Sequence, residues 1–166
     1  MEVDRLIQIL SEGGVEFIVI GGWSAILHGS VHVTNDLDVF FSRGPGNVKH
    51  LAQALAPYHP RPIDLPAGLP FIWDEATLRN GTNFTLMTDL GRVDLLGEVS
   101  GLGPFPEAYT ASIPMEKAGR EVRVLDLLSL IESKKAAGRV KDLLVIPELE
   151  ALLEAQENDP VDPADR

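Results

Sequence analysis

Val15 to Ile20 (VEFIVI) is a short, strongly apolar run of β-formers, and Gly21-Gly22 follows it directly. Such a run reads as a buried strand. A buried strand sits inside a sheet, so the rest of the chain must supply its neighbours. Trp23 to His28 reads as a short helix that stops near Gly29. Val31 to Phe41 (VHVTNDLDVFF) reads as a second strand. From Asn35 to Val39 it alternates, with Asp36 and Asp38 on one face and Leu37 and Val39 on the other.

Further elements follow from periodicity and punctuation. Val3, Leu6, Ile7 and Leu10 recur at helical spacing, and Gly13-Gly14 ends that helix. Asn47 is placed to cap a helix from Val48 to Leu55. Pro57 to Pro70 holds five prolines and reads as an irregular loop. Phe71 to Leu78 carries no clear pattern. Phe84 to Thr88 and Arg92 to Leu96 flank Asp89-Leu90-Gly91 as a hairpin. Glu121 to Val124 is another short strand. Asp126 caps a helix to Ala137, closed by Gly138. Pro147 fits the first turn of a last helix, Glu148 to Ala155. Strands and helices are mixed, so the class is α/β (α+β): a short mixed sheet flanked by helices, with a C-terminal helical segment. We expect a core over 1–124, a helical segment over 125–155 packed on it, and a disordered acidic tail over 156–166.

The 166 residues suit one domain. The absence of cysteine excludes disulfides and thiolate metal sites. No apolar run approaches the ~20 residues of a membrane span. Met1 to Ser11 carries Glu2 and Asp4 and does not read as a signal peptide. The expected location is cytoplasmic. A net charge of -11 disfavours broad nucleic-acid binding. Lys134, Lys135, Arg139 and Lys141 nevertheless form a local basic cluster.

Three features can carry chemistry. Gly21-Gly22-Trp23-Ser24 joins a strand to a helix. It is either a tight turn or a place where a phosphate meets the backbone, with Ser24 adding a hydroxyl. Asp36 and Asp38, about 7 Å apart along a strand, can converge on a divalent ion. The apolar neighbours Val33, Leu37, Val39, Phe40 and Phe41 argue that this strand is buried. Like charges there need a cation. Asp94 lies opposite the apolar face of its strand; alone it reads as a solvated strand residue, and beside Asp36 and Asp38 it offers a third carboxylate for a two-metal phosphoryl-transfer site. His28, His32, His50 and His59 are too scattered to supply a metal phosphohydrolase, and His28 is expected to pack or cap. Trp23 and Trp73 are expected in the core.

The run Gly-Gly-x-Ser-x-x-x-His-Gly-x-x-x-x-Thr-x-Asp-x-Asp, from Gly21 to Asp38, resembles the minimal nucleotidyltransferases of the DNA polymerase β-like fold. It looks closest to stand-alone bacterial proteins linked with toxin–antitoxin or abortive-infection systems. Gly91 to Leu96 resembles that family's third-carboxylate strand. Ser133 to Asp142 is similar to its Lys-x-x-x-x-Arg-x-x-Asp segment. The resemblance covers about residues 3 to 152. It implies Mg²⁺ or Mn²⁺ on Asp36, Asp38 and Asp94, as catalytic and metal-binding residues. It implies nucleotide phosphates against Gly21, Gly22 and Ser24, with Lys134, Lys135 or Arg139 meeting the triphosphate or the acceptor. The implied reaction moves a nucleoside monophosphate from an NTP, ATP foremost, to tRNA, a protein or a small-molecule hydroxyl. His32 stands where many relatives carry arginine, and a histidine cannot form the same bidentate clamp. The alternative is a binding module of the same fold, such as a toxin–antitoxin partner.

Overall fold

The computed structural model describes residues 2–66 and 68–158. Its strands are β1 (Phe17–Ile20), β2 (Asp36–Phe41), β3 (Arg61–Pro62), β4 (Asn83–Thr88), β5 (Gly91–Leu96), β6 (Ile113–Lys117) and β7 (Arg120–Val124). The helices are α1 (Val3–Glu12), α2 (Gly21–Leu27), α3 (Pro45–Leu55), α4 (Glu75–Asn80), α5 (Phe105–Ala111), α6 (Leu127–Ala137) and α7 (Val140–Asn158). One mixed sheet runs in the order β3-β4-β5-β2-β1-β7-β6. β1 is antiparallel to β2, whereas β2–β5 and β1–β7 are parallel pairs.

Two cores lie on opposite faces of the sheet. Odd positions of the central strands, such as Val19, Leu37, Val39, Val93 and Leu95, pack with α1, α3 and α4. Even positions, Ile18, Ile20 and Phe40, pack with Ala25 of α2, Ala108 of α5, and α6 and α7. Leu127, Leu130 and Ile131 on α6, with Ile146 and Leu149 on α7, bury the C-terminal segment against that second face. The period-2 rule therefore puts Asp36 and Asp38 on the side of α6.

Several local readings need correction. β2 starts at Asp36, not Val31, and Val31 and Val33 are 89% and 78% exposed. Residues 29–35 form a loop held by side chains: Val31 N–H donates to Glu148 Oε1 (2.9 Å) and His32 N–H to Ser30 Oγ (3.1 Å). Val33 therefore offered no support for burial; β2 is buried through its later residues. Asn47 caps nothing. It is buried inside α3, where its amide accepts from Glu16 N–H (2.6 Å) and donates to Glu16 O (3.0 Å) and Ser42 O (2.7 Å). It thereby ties the start of β1 to the end of β2. The last helix begins at Val140, with Pro147 inside it. The carbonyl that Pro147 cannot bond is that of Leu143, an exposed residue that water can reach. This helix also takes in 156–158; the rest of the expected acidic tail, 159–166, lies outside the described residues.

Candidate active site

The site is assembled by strand registration. β2 and β5 run parallel with Asp38 beside Asp94 and Asp36 beside Arg92, while Ile20, the last residue of β1, lies beside Asp38 on the other side. One carboxylate oxygen from each of Asp36, Asp38 and Asp94 lies within 4.8 Å of the other two. Three oxygen donors at this spacing suit a hard divalent cation such as Mg²⁺ or Mn²⁺.

The glycine turn is built around one of these carboxylates. Gly21 has φ +63°, and a Cβ there would sit 2.1 Å from Asp38 Oδ2. Gly22 would meet the Thr34 side chain at 2.7 Å. The Gly22 N–H donates to Asp38. The glycines thus make room for Asp38 as well as lining the cavity in front of it. Burial pushes the Asp38 carboxyl up to about 7, and the charges of Asp36 and Asp94 push the same way. The Gly22 hydrogen bond and the Lys134 charge oppose them.

The other two carboxylates have polar partners. Thr34 Oγ1 donates to Asp36 Oδ1 at 2.6 Å. The Arg92 guanidinium forks onto Asp94, Nε to Oδ1 at 3.2 Å and Nη2 to Oδ2 at 2.9 Å. Its Nε also lies 3.5 Å from Asp36 Oδ2. Arg92 is a site residue that the sequence motifs do not single out. Its position two residues before Asp94, hence on the same strand face, was the available signal.

Above the carboxylates lies a cavity of about 490 Å³. Gly21, Gly22, His32, Thr34 and Asn83 contribute to its wall, and Lys134, Arg139 and Lys141 bring positive charge. Asp142, buried on α7, receives Lys134 Nζ at 3.4 Å and a hydrogen bond from Arg139 Nε. Burial alone would raise the Asp142 carboxyl, but Arg139 and Lys134 outweigh it and hold it below its ordinary value. Lys135 points elsewhere, pairing with Glu150 at 2.7 Å, and does not line the cavity. Between Lys134 and Lys135, the geometry selects Lys134.

Ser24 is a correction to the expected phosphate contact. It is fully buried, and its hydroxyl donates to Leu125 O at 2.9 Å. His28 Nε2 reaches the same carbonyl at 2.8 Å, so α2 is fastened to the residue before the α6 cap. Trp23 packs against the first core under Lys117, and Trp73 packs there with its indole N–H on Ala52 O.

No family model matches the chain, and no curated protein does. Solved structures do. The lincosamide antibiotic adenylyltransferase LnuA, bound to lincomycin, aligns with a TM-score of 0.60 at 14% identity, over 91% of this chain and 96% of that one. ANT(2″)-Ia, in complex with adenylyl-2″-tobramycin, aligns at 0.55 and 15% identity, over 94% and 95%. A candidate nucleotidyltransferase from Thermotoga maritima aligns at 0.53 and 16% identity, over 89% and 94%. At such identities the likeness is one of architecture, and it agrees with the registered carboxylates: the chain has the nucleotidyltransferase fold.

Proposed function

We propose that the protein is a divalent-metal-dependent nucleotidyltransferase that moves a nucleoside monophosphate from an NTP, ATP foremost, to an acceptor hydroxyl and releases pyrophosphate. The observation that carries this reading is the convergence of Asp36, Asp38 and Asp94 at the floor of a cavity whose wall also holds Lys134, Arg139 and Lys141. Mg²⁺ or Mn²⁺ held by these three would polarise the transferred phosphate and ease deprotonation of the attacking hydroxyl. The chain's own residues do the rest. Lys134 and Arg139, held in place by Asp142, offer donors to the triphosphate. Gly21 and Gly22 let the nucleotide come close to the backbone.

LnuA and ANT(2″)-Ia were solved with lincomycin and with adenylyl-2″-tobramycin. By that likeness a small-molecule hydroxyl ranks first as acceptor, ahead of tRNA or a protein. The high net negative charge supports this order, since a polyanionic acceptor would be repelled. Titration calorimetry with α,β-methylene-ATP in Mg²⁺ or Mn²⁺ tests the reading. Binding that Asp38→Asn abolishes is expected. Absence of binding in both metals would sink the proposal.

A further inference from the structure

Arg92 is the one cation in ion-pair contact with the carboxylate cluster among the described residues. Both oxygens of Asp94 accept from it, and its Nε lies near Asp36 Oδ2. Lys134 and Arg139, the other nearby cations, are engaged by Asp142 instead. Arg92 is therefore the internal counter-ion of Asp36 and Asp94. Its side chain is 38% exposed and stands in the cavity wall that also carries Lys134, Arg139 and Lys141. Planar guanidinium donors in that wall suit phosphate oxygens as well as they suit a carboxylate.

A divalent ion and a guanidinium compete for the same oxygens. A dication bound among these carboxylates repels Arg92 and lowers the value of its fork onto Asp94. The freed guanidinium then faces the cavity with unsatisfied donors. We propose that Arg92 exchanges partners during loading: it neutralises Asp36 and Asp94 before the metal arrives, and binds nucleotide phosphate once the metal has replaced it. Metal and nucleotide binding are thereby linked through one side chain. This inference rests on the nucleotidyltransferase reading above. It adds a residue that opposes one ligand and favours the other.

The test is calorimetry on the full chain, with Mn²⁺ alone and then with α,β-methylene-ATP at saturating Mn²⁺, comparing wild type with Arg92→Gln. The exchange predicts that Arg92→Gln binds Mn²⁺ alone about tenfold tighter and the nucleotide about tenfold weaker, each close to one charge-assisted contact. A merely structural arginine would weaken both. Unchanged or weaker Mn²⁺ binding in Arg92→Gln overturns the proposal, and so does unchanged nucleotide binding. If the glutamine variant does not fold, Arg92→Lys keeps a cation but loses the fork, and must shift both affinities in the same two directions. Should wild type bind nucleotide and metal while the variants show no opposed shift, only the exchange fails. If neither wild type nor variants bind Mn²⁺ or nucleotide, the nucleotidyltransferase reading falls with it.

Discussion

Asp38 and Gly21 are the residues on which the site turns, and each makes a measurable prediction. In the metal-free protein the Asp38 carboxyl titrates near 7 rather than near its unfolded value. Between those values the folded state holds the extra proton, so this group's contribution to stability falls as pH rises. Above pH 7 without metal, Asp38→Asn should therefore be more stable than wild type, by about 2–4 kcal/mol, with the gap closing toward pH 4. Urea denaturation in EDTA across that range checks it. Equal stability at pH 8 would contradict a carboxylate whose burial outweighs the Gly22 hydrogen bond and the Lys134 charge. Gly21→Ala should cost at least ~2 kcal/mol, because it forces a side chain into positive φ and against Asp38. The glycine pair, Asp36-Leu37-Asp38 and Asp94 were all legible in the sequence, because chemistry at fixed spacing survives without coordinates. The Arg92 fork, the burial of Ser24 and the choice of Lys134 over Lys135 were not. The burial of Ser24 depends on Leu125, far along the chain, and the choice between the lysines on which residue of the next helix each meets, Asp142 for Lys134 and Glu150 for Lys135; the Arg92 fork is local to its strand, but a shared face alone does not say that two side chains pair.

Elements with their own punctuation were readable, and those made by their neighbours were not. Asp126 and Gly138 bracket α6 as expected; Asp126 accepts from Ser129 N–H at 2.9 Å, and Gly138 closes the helix at φ +66°. Asp126→Ala should lower stability by about 1 kcal/mol in a thermal or urea melt. By contrast, α5 starts between Pro104 and Pro106 with no side-chain cap, and β6 exists because it pairs with β7 along the sheet edge. β3, two residues long, hides in the proline-rich stretch and pairs with β4. The α6–α7 junction is fastened by buried Asp142. Removing that partner in Asp142→Ala leaves Lys134 and Arg139 without their anchor and should destabilise by roughly 3 kcal/mol. Calorimetry should also show weaker nucleotide binding, since both cations lose their aim.

For the whole molecule, the apolar run of β1 and the alternation in β2 and β5, set among helical periodicities, were enough to indicate a mixed α/β fold, but not the strand order. That order decides which carboxylates become neighbours, and it comes from long-range pairing. At this scale charge is the informative quantity. Acidic residues outnumber Lys and Arg by 25 to 14, so the group Lys134, Arg139 and Lys141 in the cavity wall is a local concentration of positive charge on an acidic chain. The expected behaviour is selective: a free nucleotide binds, while tRNA and duplex DNA show no gel-mobility shift at about 0.15 M salt. A shift at that salt would reopen tRNA as acceptor.

The parallel pairing of β2 with β5 also makes the reaction centre a matter of parity. Side chains in a strand belong to odd or even positions, and the three carboxylates are all even. One residue inserted between Arg92 and Asp94 would send the two to opposite faces and leave every site residue present in the sequence. Two inserted residues would restore the phase. Descendants of this chain can therefore lose the centre by frame rather than by substitution, and a motif search counting only residue types would not notice.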